Sequence, residues 1–365
     1  MLLLNWFIIT HNACNLHCIY CLNEPHPDLP LTPSWSIDQL KKFISSDPEP
    51  TIAFYGGEPL LNIKLIEEVM DNIPAKKWTI QTNGTLLYKL PTKYLKRFDS
   101  ILISIDGSKE ITDYYRGMGT YDKVLHNIKD IKARGFEGDL IARMAVSEKS
   151  DIFRDVTFLI ESEELGFDHV HWQLDAQWDE GMYSRWKTDF VQWSKEYNKG
   201  ISKLVDYWLK WMKKGVVKGI VPFLGLYKYI INEKKATLHC QAGLTSFAVR
   251  TDGKITFCPL PPEYEFSVLG SIFESRPEKL RNSLELDEPC KSCEVKDLCG
   301  GRCMFANKTK LWGEEGFRLV CNTVKHLINE LLSILPEIKE LIEDGLIEKQ
   351  VFNYPTYNNT TEIIP

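Results

Sequence analysis

Through roughly the first 180 residues, short apolar runs alternate with amphipathic stretches of helical period. That rhythm leaves the backbone few choices. The apolar runs predict strands over Leu2–Thr10, Thr51–Tyr55, Trp78–Gln81, Ile101–Ile105, Leu140–Val146 and His169–Leu174. Between them, Ile37–Ser45, Ile63–Asn72, Tyr121–Arg134 and Ile152–Leu165 space their apolar residues for one face of a helix. A strand followed by a helix and another strand closes as a right-handed parallel unit. Six such units predict an α/β fold: a partial (β/α)6 TIM-type barrel with its chemistry at the C-terminal ends of the strands.

Beyond the barrel, one long helix is expected over 185–214, with Trp186, Phe190, Trp193, Tyr197, Ile201, Leu204, Trp208 and Met212 in a single stripe. The stripe reads as a buried packing seam between two domains; an aromatic peptide-binding face is the functional alternative. A cysteine-rich region and C-terminal helices follow, the last helical stretch running over Val324–Lys349 with an interruption at Pro336. The expected division is residues 1–184 for the barrel, 185–238 for the bridging helix and linker, 239–323 for the cysteine-rich domain, and 324–365 for the C-terminal helices and tail.

With 365 residues, 44% hydrophobic, the chain can bury a substantial core. A net charge of −6 and the lack of long Lys/Arg blocks argue against a nucleic-acid binder. The apolar opening is too short to span a bilayer and has neither a basic lead-in nor a cleavage site, so no membrane partner and a cytoplasmic location are expected. Ten clustered cysteines in a chain of this length point to metal rather than disulfides.

Cys14, Cys18 and Cys21 are spaced C-x3-C-x2-C. Three thiolates so close can hold a four-iron cluster and leave one iron without a protein ligand. A structural zinc site would be closed by a fourth ligand, and zinc or reduced core cysteines are the bland alternatives. The spacing, with aromatic Tyr20 before the third cysteine, resembles the radical S-adenosylmethionine (radical SAM) superfamily. Gly56-Gly57-Glu58-Pro59 after the second predicted strand is similar to the GGEP motif of that superfamily. By that resemblance its backbone and Glu58 hold the methionyl amino group of S-adenosyl-L-methionine. Two glycines also let a backbone approach a ligand closely. The resemblance extends to Asn83 in Gln81-Thr-Asn-Gly-Thr85, to Ser104 facing the cofactor's ribose or carboxylate, and to Arg116 pairing with the methionyl carboxylate, a task that suits a forked guanidinium. Arg143 is a second candidate for that pairing. Asp106 reads as a turn cap before Gly107.

The other seven cysteines are Cys240, Cys258, Cys290, Cys293, Cys299, Cys303 and Cys321. Their order, C-x12-G-x4-C, then C-x2-C-x5-C-x3-C, then C, resembles the SPASM extension of radical SAM enzymes. The resemblance implies two auxiliary [4Fe-4S] clusters. Cys290, Cys293, Cys299 and Cys321 would close one; Cys240, Cys258 and Cys303 would hold the other, with no further cysteine to supply a fourth ligand.

These likenesses imply three [4Fe-4S] clusters, reductive cleavage of S-adenosyl-L-methionine to a 5′-deoxyadenosyl radical, and an external one-electron reductant such as flavodoxin or ferredoxin, in an anaerobic setting. The expected substrate is a peptide or protein, crosslinked or oxidised. Anaerobic sulfatase maturases are the best-known relatives, but two residues depart from their pattern: Pro259 follows Cys258 where they have Asp, and Tyr55 precedes the double glycine where they have Gln. A small-molecule radical SAM oxidase and an iron–sulfur electron-transfer protein are the other readings; the latter would not need Gly56 to Pro59 or Arg116. No catalytic base is assigned, Asp175 being a guess. Nothing ahead of the first strand reads as a leader-capturing domain, so recognition is expected from the barrel mouth, the second domain or a separate partner.

Overall fold

The computed structural model describes residues 4–21, 25–175, 188–259, 264–282 and 284–355. The chain groups into two units that interleave along the sequence. One comprises Met1–Ile105, Thr112–Ile141 and Gln241–Glu285; the other comprises Asp106–Ile111, Ala142–Cys240 and Leu286–Pro365. Residues 241–285 thus belong to the same unit as the N-terminal strands.

In the first unit the strands are β1 (Asn5–His11), β2 (Thr51–Gly56), β3 (Lys77–Thr82), β4 (Ser100–Ser104), β7 (Ser246–Val249), β8 (Lys254–Thr256) and β9 (Val268–Ser271). They lie in the order β4-β3-β2-β1-β7-β8-β9. Parallel ladders join β1 to β2, β2 to β3 and β3 to β4, as strand–helix alternation requires. The part invisible to alternation is β7. It runs parallel to β1 on the side away from β2, with Trp6 opposite Phe247 and Phe7 opposite Ala248. A hairpin turn at 251–254 then carries the chain back along β8. Gly253 permits the turn: its φ is +84°, and a Cβ would stand 2.6 Å from the Phe273 ring.

Both faces of β1 are buried, so its sequence is a continuous apolar run rather than an alternating one. Trp6 packs edge-on to Phe43 at 5.0 Å and against Phe247 at 5.4 Å, and its indole N–H donates to Asp47 at 3.0 Å. Phe7 faces Ala53, Ala248 and Tyr55 on the opposite side. Phe43 belongs to the helix Ile37–Ile44, which opens on a reciprocal cap between Ser36 and Gln39.

β5 (Asp139–Val146) begins in the first unit and continues in the second, where its neighbour is β6 (His169–Leu174). The second unit also holds helices Ile152–Glu161, Phe190–Met212, Val221–Ile230, Gly313–Ser333 and Leu335–Glu343. The aromatic stripe lies inside this unit: Phe190, Trp193, Tyr197, Ile201, Leu204, Trp208 and Met212 are all buried. Trp193 stacks on Tyr197 at 5.2 Å, Tyr197 accepts from the Trp172 indole at 2.9 Å, and Trp208 is edge-on to Phe223 and Tyr227, each at 5.3 Å. The stripe is a packing seam within one unit. Trp186 and the expected start of the helix lie outside the described residues. The last helical stretch starts earlier than its apolar period suggests, at Gly313, and breaks at Ile334; Pro336 sits in the first turn of the second helix, where its missing N–H costs no helical bond. Among the described residues no helix is long and apolar enough to cross a membrane.

Candidate functional site

The loop that leaves β1 carries Cys14, Cys18 and Cys21, and its root is fixed by side chains. Asn12 donates to the Pro30 carbonyl at 2.6 Å and to Thr251 Oγ1 at 2.8 Å. Farther along, the Ile19 N–H donates to the Tyr115 carbonyl at 2.8 Å, and the Cys21 N–H donates to the Cys18 carbonyl at 3.0 Å, closing a turn between two candidate ligands. Cys14 Sγ accepts from the Leu16 N–H at 3.4 Å and from Asn83 Nδ2 at 3.6 Å. Burial raises the pKa of the Cys14 thiol, and the charges of Glu58 and Cys21 push it the same way.

The end of β2 approaches the same loop. Gly56 has φ +148°, and a Cβ there would stand 2.3 Å from the His11 carbonyl oxygen. Only glycine fits this crossing. The Gly57 N–H then donates to that carbonyl at 2.8 Å, and the Glu58 N–H to Ala13 O at 3.0 Å. The double glycine thus lays the backbone of β2 directly against the cysteine loop.

Glu58 is fully buried and turned away from solvent. Its carboxylate accepts from the Leu60 N–H at 3.0 Å, the Thr82 hydroxyl at 2.7 Å and the Asn83 N–H at 2.8 Å. Burial nevertheless pushes its pKa up to about 7, the three donors offsetting only part of the desolvation. The side chain locks the end of β3 to the end of β2. Pro59 is buried beside it, its carbonyl accepting from the Thr10 hydroxyl at 3.1 Å.

Asn83 extends the lock. Its Oδ1 accepts from the Thr85 N–H at 2.9 Å and the Thr85 hydroxyl at 2.7 Å, and its Nδ2 donates to Asn15 Oδ1 at 2.9 Å as well as to Cys14. Asn15 donates to Thr85 Oγ1 at 2.9 Å. A chain of polar contacts thus runs from the buried Glu58 through Asn83 to Cys14. Asn15, Thr82 and Thr85 were not singled out by sequence. The Thr-Asn-Gly-Thr wording flags the strand end, but nothing local marks Asn15 as its partner.

Tyr20 and Arg116 meet on the other flank of the loop. The Arg116 guanidinium carbon lies 5.5 Å from the Tyr20 ring centroid, and Tyr115 lies against the same ring at 5.4 Å. Arg116 is only 7% exposed and ends the helix Lys109–Arg116, an element that the sequence pattern did not reveal. Ser104 is half-buried at the end of β4. The structure therefore brings Tyr20, Gly56, Gly57, Glu58, Asn83 and Arg116 to the cysteine loop in the first unit.

Arg143 stands in the second unit, on β5. It is buried, with Nη1 3.1 Å from Nε2 of buried His171 on β6. Asp106 accepts from the Ala145 N–H on β5 at 2.9 Å. Asp175 accepts from the Ser147 hydroxyl at 2.7 Å.

The second unit also contains Cys290, Cys293, Cys299 and Cys321. Their charges act on one another: Cys290 is raised by burial and by Cys321 and Cys293, and Cys299 is pushed up to about 12 by burial, with Cys321 and Cys290 adding to it. Cys321 is raised by burial and by Cys293. Asn307 buttresses the group, accepting from the Asp287 N–H at 2.7 Å and donating to the Asp287 carbonyl at 3.0 Å, while the Cys290 N–H donates to that carbonyl at 3.1 Å. Cys258 follows β8 in the first unit; Cys240 and Cys303 belong to the second. Among the described residues no three His, Cys, Asp or Glu side chains form a group that could hold a single metal ion.

Residues 8–148 match the Radical SAM superfamily, and this part of the chain is a radical SAM domain. Over 361 residues, 90% of this chain and 95% of the relative, the sequence is 24% identical to the cysteine-type anaerobic sulfatase-maturating enzyme of Clostridium novyi (strain NT). It is 22% identical over 363 residues, 89% of this chain and 73% of the relative, to the radical SAM cyclopropyl synthase TigE of Paramaledivibacter caminithermalis. The fold is similar to that of anSMEcpe, solved with bound AdoMet and a peptide, at a TM-score of 0.75 and 20% identity, covering 94% of this chain and 100% of that one.

Proposed function

We propose that this chain is a radical SAM enzyme that oxidises or crosslinks a peptide or protein substrate, with Cys14, Cys18 and Cys21 holding the cluster that binds S-adenosyl-L-methionine. The observation that carries this reading is the polar chain from Glu58 through Asn83 to Cys14, on a loop crossed by the Gly56-Gly57 backbone. An electron carrier has no need of a second strand pressed against its ligand loop. When bound, the cluster and S-adenosyl-L-methionine supply a 5′-deoxyadenosyl radical that takes a hydrogen atom from the substrate.

The chain's own residues bind and orient. The Gly56-Gly57 backbone and Pro59 shape the wall for the methionyl amino group, while Glu58 fixes that wall rather than lying open at its surface. Arg116, shielded from water and braced on Tyr20, presents a positive fork suited to the methionyl carboxylate. Ser104 and Asn83 are the polar groups at the neighbouring strand ends. Arg143, held against His171, is the second candidate for that carboxylate.

Cys290, Cys293, Cys299 and Cys321 are read as ligands of one auxiliary [4Fe-4S] cluster, and Cys240, Cys258 and Cys303 as ligands of the other. Zinc is the alternative occupant, since C-x2-C spacing also suits it. A substrate peptide is favoured by the named relatives, which include a sulfatase maturase and a cyclopropyl synthase. Those two make different bonds at the same level of similarity, so likeness alone does not select the bond. Pro259 after Cys258 and Tyr55, packed 5.7 Å from Phe7, separate this chain from the maturase pattern. A cytoplasmic setting with flavodoxin or ferredoxin as reductant completes the reading.

The test is anaerobic reduction of the reconstituted protein with S-adenosyl-L-methionine. Formation of 5′-deoxyadenosine, lost in Cys18→Ala, is the expected result, with about twelve irons per chain. No 5′-deoxyadenosine from an iron-replete protein would overturn the enzyme reading, and a content near four irons would overturn the auxiliary clusters.

A further inference from the structure

Arg302 is a buried cation of a kind that proteins rarely leave unanswered. It is 3% exposed, and none of its three guanidinium nitrogens has a hydrogen-bond partner. Its guanidinium carbon lies 5.0 Å from the Phe317 ring centroid and 5.4 Å from that of Trp312. Two aromatic faces attract a cation but supply far less than the water it has lost. Burying an unpaired guanidinium costs several kcal/mol unless negative charge stands nearby.

The backbone shows that the placement is enforced. Gly300, Gly301 and Arg302 are three successive left-handed residues, at φ +69°, +86° and +57°. Glycine adopts that region freely, whereas a long side chain does so at a cost of about 1–3 kcal/mol. A Cβ on Gly301 would meet Leu286 at 2.1 Å, so the turn has no slack. The Arg302 N–H donates to the Cys299 carbonyl at 3.3 Å, tying the turn to a candidate ligand. Phe317, the nearer of its two rings, packs in one cluster with Cys290, and Cys303 and Cys321 lie against the same cluster, so Arg302 shares its surroundings with candidate ligands.

We propose that Arg302 is the built-in counter-charge of the centre formed by Cys290, Cys293, Cys299 and Cys321, and that it raises the reduction potential of that centre. This rests on the reading of those cysteines as ligands of an iron–sulfur cluster. A four-thiolate cluster is a net anion, and reduction adds one more negative charge. A fixed cation in a low-dielectric setting stabilises the reduced form more than the oxidised one. Its three open nitrogens are donors without acceptors, and the inorganic and thiolate sulfurs of a cluster are acceptors.

The test is redox potentiometry of the full chain followed by electron paramagnetic resonance, comparing wild type with Arg302→Met and Arg302→Lys. The signal lost in Cys293→Ala identifies the centre. Arg302→Met keeps the length and apolar packing without the charge, and its midpoint should move to a more negative potential at unchanged iron content. Arg302→Lys should fall between Met and wild type. An unchanged midpoint in Arg302→Met would overturn the proposal and leave Arg302 a packing residue. If Arg302→Met holds no iron at this centre, the decision passes to Arg302→Lys: a cluster retained there supports the charge role, and one lost there as well overturns it in favour of shape. Failure of the underlying reading looks different, since the iron content of Cys293→Ala/Cys321→Ala would then equal that of wild type rather than fall by about four.

Discussion

Burial leaves Glu58 with a carboxyl group that titrates near neutral pH while three donors depend on it. Its pKa rises from 4.5 in the ordinary case to about 7 when folded, so the folded chain holds this proton more tightly than the unfolded one. The stabilisation is complete below pH 4.5 and is lost as pH rises through 7, a change on the order of 3 kcal/mol. Glu58→Gln should abolish that slope in denaturation midpoints measured from pH 4.5 to 7. It should also lower stability by about 1–3 kcal/mol, because the new amide turns a donor toward the Asn83 N–H. A slope unchanged in the variant would assign the titration to another group. A methionyl ammonium in contact with this turn would hold the carboxylate ionised, so saturating cofactor should flatten the same slope in wild type.

Among the elements, the helix Phe190–Met212 shows most plainly what a period can convey. The spacing of its aromatic residues marked the buried face, and the structure buries that face. Trp208 is its deepest anchor, fully buried with its indole N–H donating to the Lys218 carbonyl at 2.9 Å. Trp208→Ala should cost about 3–5 kcal/mol in chemical denaturation, through lost packing and an orphaned carbonyl. Loss below about 1 kcal/mol would mean that the surrounding rings collapse into the space. The first six strands were legible for the same reason: each is a dense apolar run between breakers. The helix Lys109–Arg116 was not, since its buried face mixes Ile111, Thr112 and Tyr115 with the charged Asp113 and Arg116. Arg302 was illegible too. A Gly-Gly-Arg between cysteines reads as an exposed turn, and only the fold reveals that the arginine is sealed between two rings.

At the scale of the molecule, the cysteine motif and the double glycine disclosed the chemistry class, but not how the chain is tied together. β7 is four residues long, Ser-Phe-Ala-Val, and its partner β1 lies some 240 positions away, so no local pattern announces the pairing. The stretch 8–148 that matches the superfamily lacks that partner. Expressed alone, residues 1–148 should aggregate or show no cooperative melting, whereas the full chain melts cooperatively; a well-folded monomeric fragment in size-exclusion chromatography would refute this.

The pairing of β7 with β1 also orders events in time. Asn12, at the root of the first cysteine loop, reaches Thr251 as its partner. A ribosome that has released the three N-terminal cysteines has yet to make Thr251, the last in sequence of the partners that hold their loop. Until residue 251 emerges, β1 keeps an apolar edge unpaired, the state in which strands recruit neighbours from other chains. The frame of the first cysteine loop is therefore complete only once residue 251 has been made, and chains truncated before residue 241 should partition into the insoluble fraction of a lysate while the full chain stays in the supernatant.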